Sequence, residues 1–139
     1  MNKKLVVLTM SLALLMSAAA SAQTVHLKAN VPFNFIAGHT RFPAGQYELL
    51  STGNGDSVLV IRSLDSKPQA LVLSNSCESR SPSAGTKLVF HRYGQRYFLS
   101  QVWMKGDNIG HQVPASSWEV EVAKDFSMDE VVVLVAKRN

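Results

Sequence analysis

The sequence predicts an all-β fold: a single antiparallel β-sandwich or small barrel of about eight strands, with one short helix near residues 117–124. Three observations predict it. Short apolar runs recur along the chain, several of them alternating with polar residues at the period of a half-buried strand. Gly, Pro, Asn and Asp separate the runs at short intervals. A length of 139 residues, without an internal repeat or a linker, holds one domain.

The chain opens on a segment that does not belong to that domain. Residues 1–22 read as a cleaved secretory signal peptide, leaving 23–139 as the β-rich domain. Lys3 and Lys4 form the positive start, Leu5 to Met16 the apolar stretch, and Ala20-Ser21-Ala22 the small-residue cleavage site. A transmembrane anchor fits less well. The apolar stretch is about 12 residues where a spanning helix needs about 20, and no positive stop-transfer cluster follows. No cysteine follows the small residues, so a lipid anchor is not expected.

Removing this leader changes the charge. The whole chain has 14 basic and 10 acidic residues, and two of the basic ones are Lys3 and Lys4, so +4 becomes +2. Phosphate binding needs a clustered excess of Lys and Arg, so nucleic acid is not an expected partner. Hydrophobic residues remain plentiful enough to build a core without a disulfide framework, and Cys77 has no second cysteine to pair with. Its surroundings, Asn75-Ser76-Cys77-Glu78-Ser79-Arg80, read as an exposed loop, and the thiol as incidental rather than bridging or catalytic.

The strands follow in order. Val25, Leu27 and Ala29 alternate with His26, Lys28 and Asn30. Pro32 restarts the chain, Phe33-Asn34-Phe35 alternates again, and Ala37-Gly38-His39-Thr40 is a turn. Phe42-Pro43-Ala44-Gly45 turns once more into Gln46 to Leu50. Gly53-Asn54-Gly55 reads as a hairpin turn leading to Val58–Leu64, and Asp65 to Pro68 as the turn before Ala70–Leu73. Residues 74–86 are polar throughout and read as one long loop. Lys87–Tyr93 and Arg96–Met104 flank Gly94-Gln95 as a hairpin. Ser116-Ser117-Trp118-Glu119 fits a capping box after Pro114, which favours a helix over 117–124. The alternation of Trp118, Val120 and Val122 with Glu119 and Glu121 also fits a strand. The β-branched run Val131 to Ala136 is the last strand.

Three runs are apolar on both faces: Val58–Ile61, Ala70–Leu73 and Val131–Val135. A sheet with one wet face predicts alternation, so something is expected to cover the second face: the helix, a closed barrel with its helix outside, or a second subunit. An outer-membrane barrel fits poorly. Its strands need about 9–11 residues and flanking aromatic girdles, and the chain has only 11 aromatics.

No motif demands catalysis. His26, His39, His91 and His111 have no metal-ligand spacing, and Gly-x-Ser-x-Gly and phosphate-loop patterns are missing. Asp56, Asp65, Asp107 and Asp125 read as turn or cap residues, and no calcium-loop spacing occurs. No cofactor or metal is expected. The most distinctive surface signal is the hairpin His91-Arg92-Tyr93-Gly94-Gln95-Arg96-Tyr97-Phe98. Its candidate ligand-binding residues are His91, Arg92, Tyr93, Arg96 and Tyr97, which can stack on a planar or sugar-like ligand or grip an anion. Cross-strand pairs that only stabilise the hairpin are the plainer reading.

Two signatures carry a resemblance. One is Val31-Pro32-Phe33-Asn34-Phe35 with Gly38 and Pro43-Ala44-Gly45-Gln46-Tyr47. The other is Leu88-Val89-Phe90-His91-Arg92-Tyr93-Gly94 with Tyr97-Phe98-Leu99-Ser100-Gln101-Val102-Trp103. Together they resemble a family of small exported proteins abundant in Acidobacteria, which has no assigned activity or ligand. The resemblance implies an exported, periplasmic or extracellular protein of a Gram-negative bacterium and implies nothing about catalysis. Members carry a basic, Arg- and Glu-rich helical stretch where this chain has Ser116 to Lys124. Physically, both signatures are structural: Phe33, Phe35, Tyr47, Phe90, Phe98 and Trp103 are the expected large core side chains.

The leading expectation is therefore a non-enzymatic binding or structural, self-associating β-domain, with the doubly apolar strands meeting in a homo-oligomer. A small-ligand or carbohydrate binder using the 91–98 hairpin is the alternative. An enzyme with a site assembled from distant residues, His91 acting as base, comes third; finding His91 apart from every carboxylate and nucleophile removes it. After signal cleavage no integral membrane segment is expected.

Overall fold

The computed structural model describes residues 25–52, 58–65 and 68–135. The expected signal peptide and the Gly53-Asn54-Gly55 turn lie outside the described residues. The described residues form eleven strands and one helix: β1 (His26–Val31), β2 (Phe35–Ala37), β3 (Thr40–Phe42), β4 (Gly45–Thr52), β5 (Val58–Ser63), β6 (Gln69–Leu73), β7 (Asn75–Glu78), β8 (Lys87–Tyr93), β9 (Arg96–Trp103), β10 (Ile109–Gln112), α1 (Ser117–Ala123) and β11 (Met128–Leu134). The all-β class is as expected, with two sheets rather than one closed barrel.

The first sheet runs β1-β4-β5-β6, each pair antiparallel. The second runs β11-β8-β9-β10-β7. The β2–β3 hairpin joins it by a parallel bridge, Ile36 to Phe98. β9 therefore uses one edge twice. Its C-terminal half pairs with β10, through Gln101 and Val102, and its N-terminal half takes β2.

Alternation places the core between the sheets. In β1, Leu27, Ala29 and Val31 are buried while His26, Lys28 and Asn30 are exposed. Tyr47, Leu49, Leu59, Ile61 and Val72 from the first sheet join Leu88, Phe90, Leu99 and Val102 from the second. Each such fully buried side chain contributes about 1.5–3 kcal/mol of burial free energy. Five of the six expected large core residues are buried, and Phe33 is half-buried against the same core. A bulge tunes this register. Val89 pairs with Gln101 but Phe90 with Leu99, leaving Ser100 as the extra residue. The slip turns Leu99 inward and Phe98 to the opposite face.

The Pro43-Ala44-Gly45-Gln46-Tyr47 signature folds as a pinned turn. The Tyr47 hydroxyl donates to the Pro43 carbonyl, Ala44 N–H donates to Asn34 Oδ1 at 2.9 Å, and Gln46 N–H donates to Asp65 Oδ2 at 2.8 Å. Between β2 and β3, Gly38 takes φ +61°, a conformation that disfavours any side chain with a Cβ.

Four expectations need correction. Eight strands become eleven, because β3, β7 and β10 are only three or four residues long and carry little apolar signal of their own. β7 lies inside the expected loop of residues 74–86 and is held by pairing with β10, Cys77 opposite Gly110. The strand expected at 33–35 is at Phe35–Ala37, because the tight turn at Gly38 starts the pairing two residues later. The last strand starts at Met128 rather than Val131, since Met128, Asp129 and Glu130 extend the ladder to Tyr93, Arg92 and His91.

The second faces divide into two cases. Over β8 and β9, Val122 of α1 and Ile36 cover Tyr93 and Phe98. The helix does not reach the doubly apolar runs. Leu71 and Leu73 on β6 are each 72% exposed, and Leu134 on β11 is 74% exposed with Val132 beside it on the same face. Among the described residues, no helix is long and apolar enough to cross a membrane.

Candidate functional site

The β8–β9 hairpin does not present its five candidate residues together. Strand alternation sends His91 and Tyr93 to the outer face, beneath α1, and Arg92 and Tyr97 to the other. Arg92 donates to Asp129 Oδ2 at 3.0 Å. That bond, and a second to Tyr97, raise the guanidinium pKa above its ordinary value. Tyr97 stacks on Phe33 with ring centroids 3.9 Å apart. Arg96 stands exposed beside the turn.

Beneath the helix, His91 Nδ1 lies 3.4 Å from Glu119 Oε1. Nδ1 is buried and makes no well-aligned hydrogen bond. Glu119 is itself buried, and desolvation raises its pKa, with His91 partly opposing the shift. Burial raises the Tyr93 pKa too, and the Glu119 charge adds to it. His91 is thus beside a carboxylate, and the condition that would remove it as a base is not met. The pair is nevertheless roofed by α1 and does not line the neighbouring cleft.

That cleft is a candidate ligand site among the described residues. It encloses about 660 Å³ and is bounded by three elements. The β2–β3 hairpin gives Ile36, Arg41 and Phe42; the β8–β9 tip gives Gln95, Arg96, Tyr97 and Phe98; α1 gives Trp118, Glu121 and Val122. Its lining is mostly apolar, and its size is that of ordinary small-molecule sites, about 300–1,000 Å³. Of the sequence candidates, Arg96 and Tyr97 reach it, whereas His91, Arg92 and Tyr93 do not line it.

The rim is tied together by chemistry that the sequence alone did not reveal. The Arg41 guanidinium lies 5.4 Å from the Trp118 ring centroid, over its face. His39 meets the same ring edge-on at 5.2 Å, and its Nε2 is 2.9 Å from Ser117 Oγ. The Ser116 N-cap positions Trp118: Ser116 Oγ accepts the Glu119 N–H at 3.3 Å and starts the helix. The Glu119 carboxylate turns to His91 instead of closing the expected capping box. Arg41 is hidden in sequence because it sits between two turn signals, in a strand of three residues. For the rest, the signal in the sequence is Trp118 just inside the Ser116 cap, and its exposure appears only in the structure.

Other candidates resolve simply. Cys77 lies in β7 rather than in a loop, half-buried, and burial raises its pKa, which disfavours the reactive thiolate. His26 Nε2 is 2.9 Å from Glu48 Oε1, and Arg62 binds the other Glu48 oxygen. These contacts, Arg62 first, lower the Glu48 pKa. Among the described residues, no three His, Cys, Asp or Glu side chains gather as a metal site.

Fold and site together define a small two-sheet β-sandwich with a mainly apolar cleft at one hairpin tip. Comparison with protein-family models, with curated proteins and with solved structures found no match for the chain.

Proposed function

We propose that this is a non-enzymatic binding domain and that the cleft between the β2–β3 hairpin, the β8–β9 tip and α1 is its ligand site. The observation that carries the reading is the cleft itself: about 660 Å³, mostly apolar, with Tyr97 and Trp118 among its lining residues. The leader sequence and the resemblance to exported Acidobacteria proteins support action in the periplasm or outside the cell. The test is calorimetry with small apolar and aromatic probes and with oligosaccharides, each run on wild type and Trp118→Ala. Saturable binding weakened at least about fivefold by the substitution supports the reading. Binding of every probe unchanged by Trp118→Ala, or no binding at all, overturns it.

A second reading, self-association, is favoured by one observation. β6 is an edge strand with Leu71 and Leu73 exposed and no charge or proline within Gln69–Leu73. Edges of β-sheets are ordinarily blunted by such residues, and the β11 edge does carry Asp129 and Glu130. The partner that fits an unguarded apolar edge is the same edge of a second copy. Light scattering across a range of protein concentrations tests this, and a monomer throughout rules it out.

A further inference from the structure

We infer that the cleft selects a soluble small molecule with an apolar ring or chain and one anionic group, a carboxylate or sulfonate, in preference to a neutral sugar. This rests on reading the cleft as a ligand site.

The charge pattern of the lining carries the inference. Two arginines, Arg41 of the β2–β3 hairpin and Arg96 of the β8–β9 tip, line the cleft, and both residues are exposed. Neither is ion-paired to a carboxylate among the described residues. Away from the cleft, Arg62 and Arg92 are paired with Glu48 and Asp129, and the exposed Arg80 is not ion-paired among the described residues. The carboxylate in the lining belongs to Glu121, and Lys124 Nζ already meets it at 3.0 Å. Among the described residues, the cleft therefore presents two positive charges that no carboxylate ion-pairs.

Geometry agrees with charge. Stacking on Trp118 orients Arg41 and leaves its N–H groups, which lie in the guanidinium plane, available to an oxyanion. Phe35, Ile36, Phe42, Phe98 and Val122 add apolar side chains to the lining, which is mostly apolar. Arg41, Arg96 and Glu121 can also hydrogen-bond the hydroxyls of a neutral sugar, but such a ligand brings no charge to balance the two guanidiniums. Apart from Tyr97 and Trp118, the uncharged polar residues of the lining are Asn34 and Gln95. Asn34 Oδ1 is already used by the Ala44 N–H. An apolar body with one anionic end satisfies both parts of the lining at once.

Calorimetry with three probes of one shape tests this: 2-naphthoate, neutral 2-naphthamide and cationic 2-naphthylmethylammonium. Wild type is expected to bind 2-naphthoate at least about tenfold more tightly than 2-naphthamide, with the cation weakest. In Arg41→Gln/Arg96→Gln the naphthoate preference is expected to vanish while 2-naphthamide binding persists. Both arginines are exposed, and an unchanged circular dichroism spectrum verifies folding. Equal affinity of wild type for 2-naphthoate and 2-naphthamide, with both weakened by Trp118→Ala, overturns the anion preference and leaves the ligand site standing. A naphthoate preference that survives the double substitution also overturns it. No binding of any probe overturns both the preference and the site.

Discussion

Glu119 is the residue at which packing and ionisation conflict. A buried carboxylate is costly to charge, and His91 at 3.4 Å offsets only part of that cost. Because its folded-state pKa is raised, the folded protein holds this proton to higher pH than the unfolded chain does. The stability it contributes is full below the ordinary carboxylate value and is lost as pH rises through the raised folded value. Glu48 behaves oppositely: its lowered pKa adds stability above the ordinary value that is lost as pH falls. Glu119→Gln keeps the shape and removes the titration. Urea midpoints measured from about pH 4 to about pH 8 are expected to decline less with rising pH in Glu119→Gln than in wild type. Parallel profiles would show that the Glu119 carboxyl titrates alike in both states. Sequence could nominate His91 but not its partner, because 28 positions separate it from Glu119 and only the docking of α1 brings them together.

α1 matters beyond its seven residues. It roofs Tyr93 and Phe98 with Val122 and supplies Trp118, Glu121 and Val122 to the cleft. So short a helix is not stable alone, so its cap and its buried face must hold it. Ser116→Ala removes the side-chain acceptor for the Glu119 N–H and is expected to cost about 0.5–2 kcal/mol in urea unfolding. The same variant is expected to weaken naphthoate binding, because Trp118 loses its fixed position. An unchanged midpoint would mean that sheet contacts alone hold the helix. The helix start was legible because its signal, Ser116 three positions before Glu119, is local, whereas the turn of the Glu119 carboxylate to His91 was not. β7 and β10 were not legible, because Asn75-Ser76-Cys77-Glu78 and Ile109-Gly110-His111-Gln112 become strands only by pairing with each other and with β9.

At the scale of the whole molecule, the doubly apolar strands leave part of their surface unburied. Val131 and Val133 pack on the core, but Val132 and Leu134 face out, as do Leu71 and Leu73 on the far edge of the other sheet. Exposed apolar side chains on an unguarded edge favour pairing with another edge. The double variant Leu71→Lys/Leu73→Lys is expected to lower the scattering mass of concentrated wild-type protein toward that of a monomer. Its effect on unfolding should be small, since neither side chain is buried. Scattering that is identical in both proteins would remove β6 as the contact. The sequence by itself determined the strand-rich class, the hairpin at Gly94-Gln95, the capped helix and most of the core, because alternation, turn chemistry and capping act over a few neighbouring residues. Only the tertiary structure decided that β9 lends one edge to both β10 and β2, that α1 roofs one sheet rather than the doubly apolar runs, and that Arg41 and Arg96 meet around one cleft. Those outcomes depend on contacts between residues far apart in the chain, such as Ile36 with Phe98 and Arg41 with Trp118, and no local pattern specifies which distant partner a strand or ring will find.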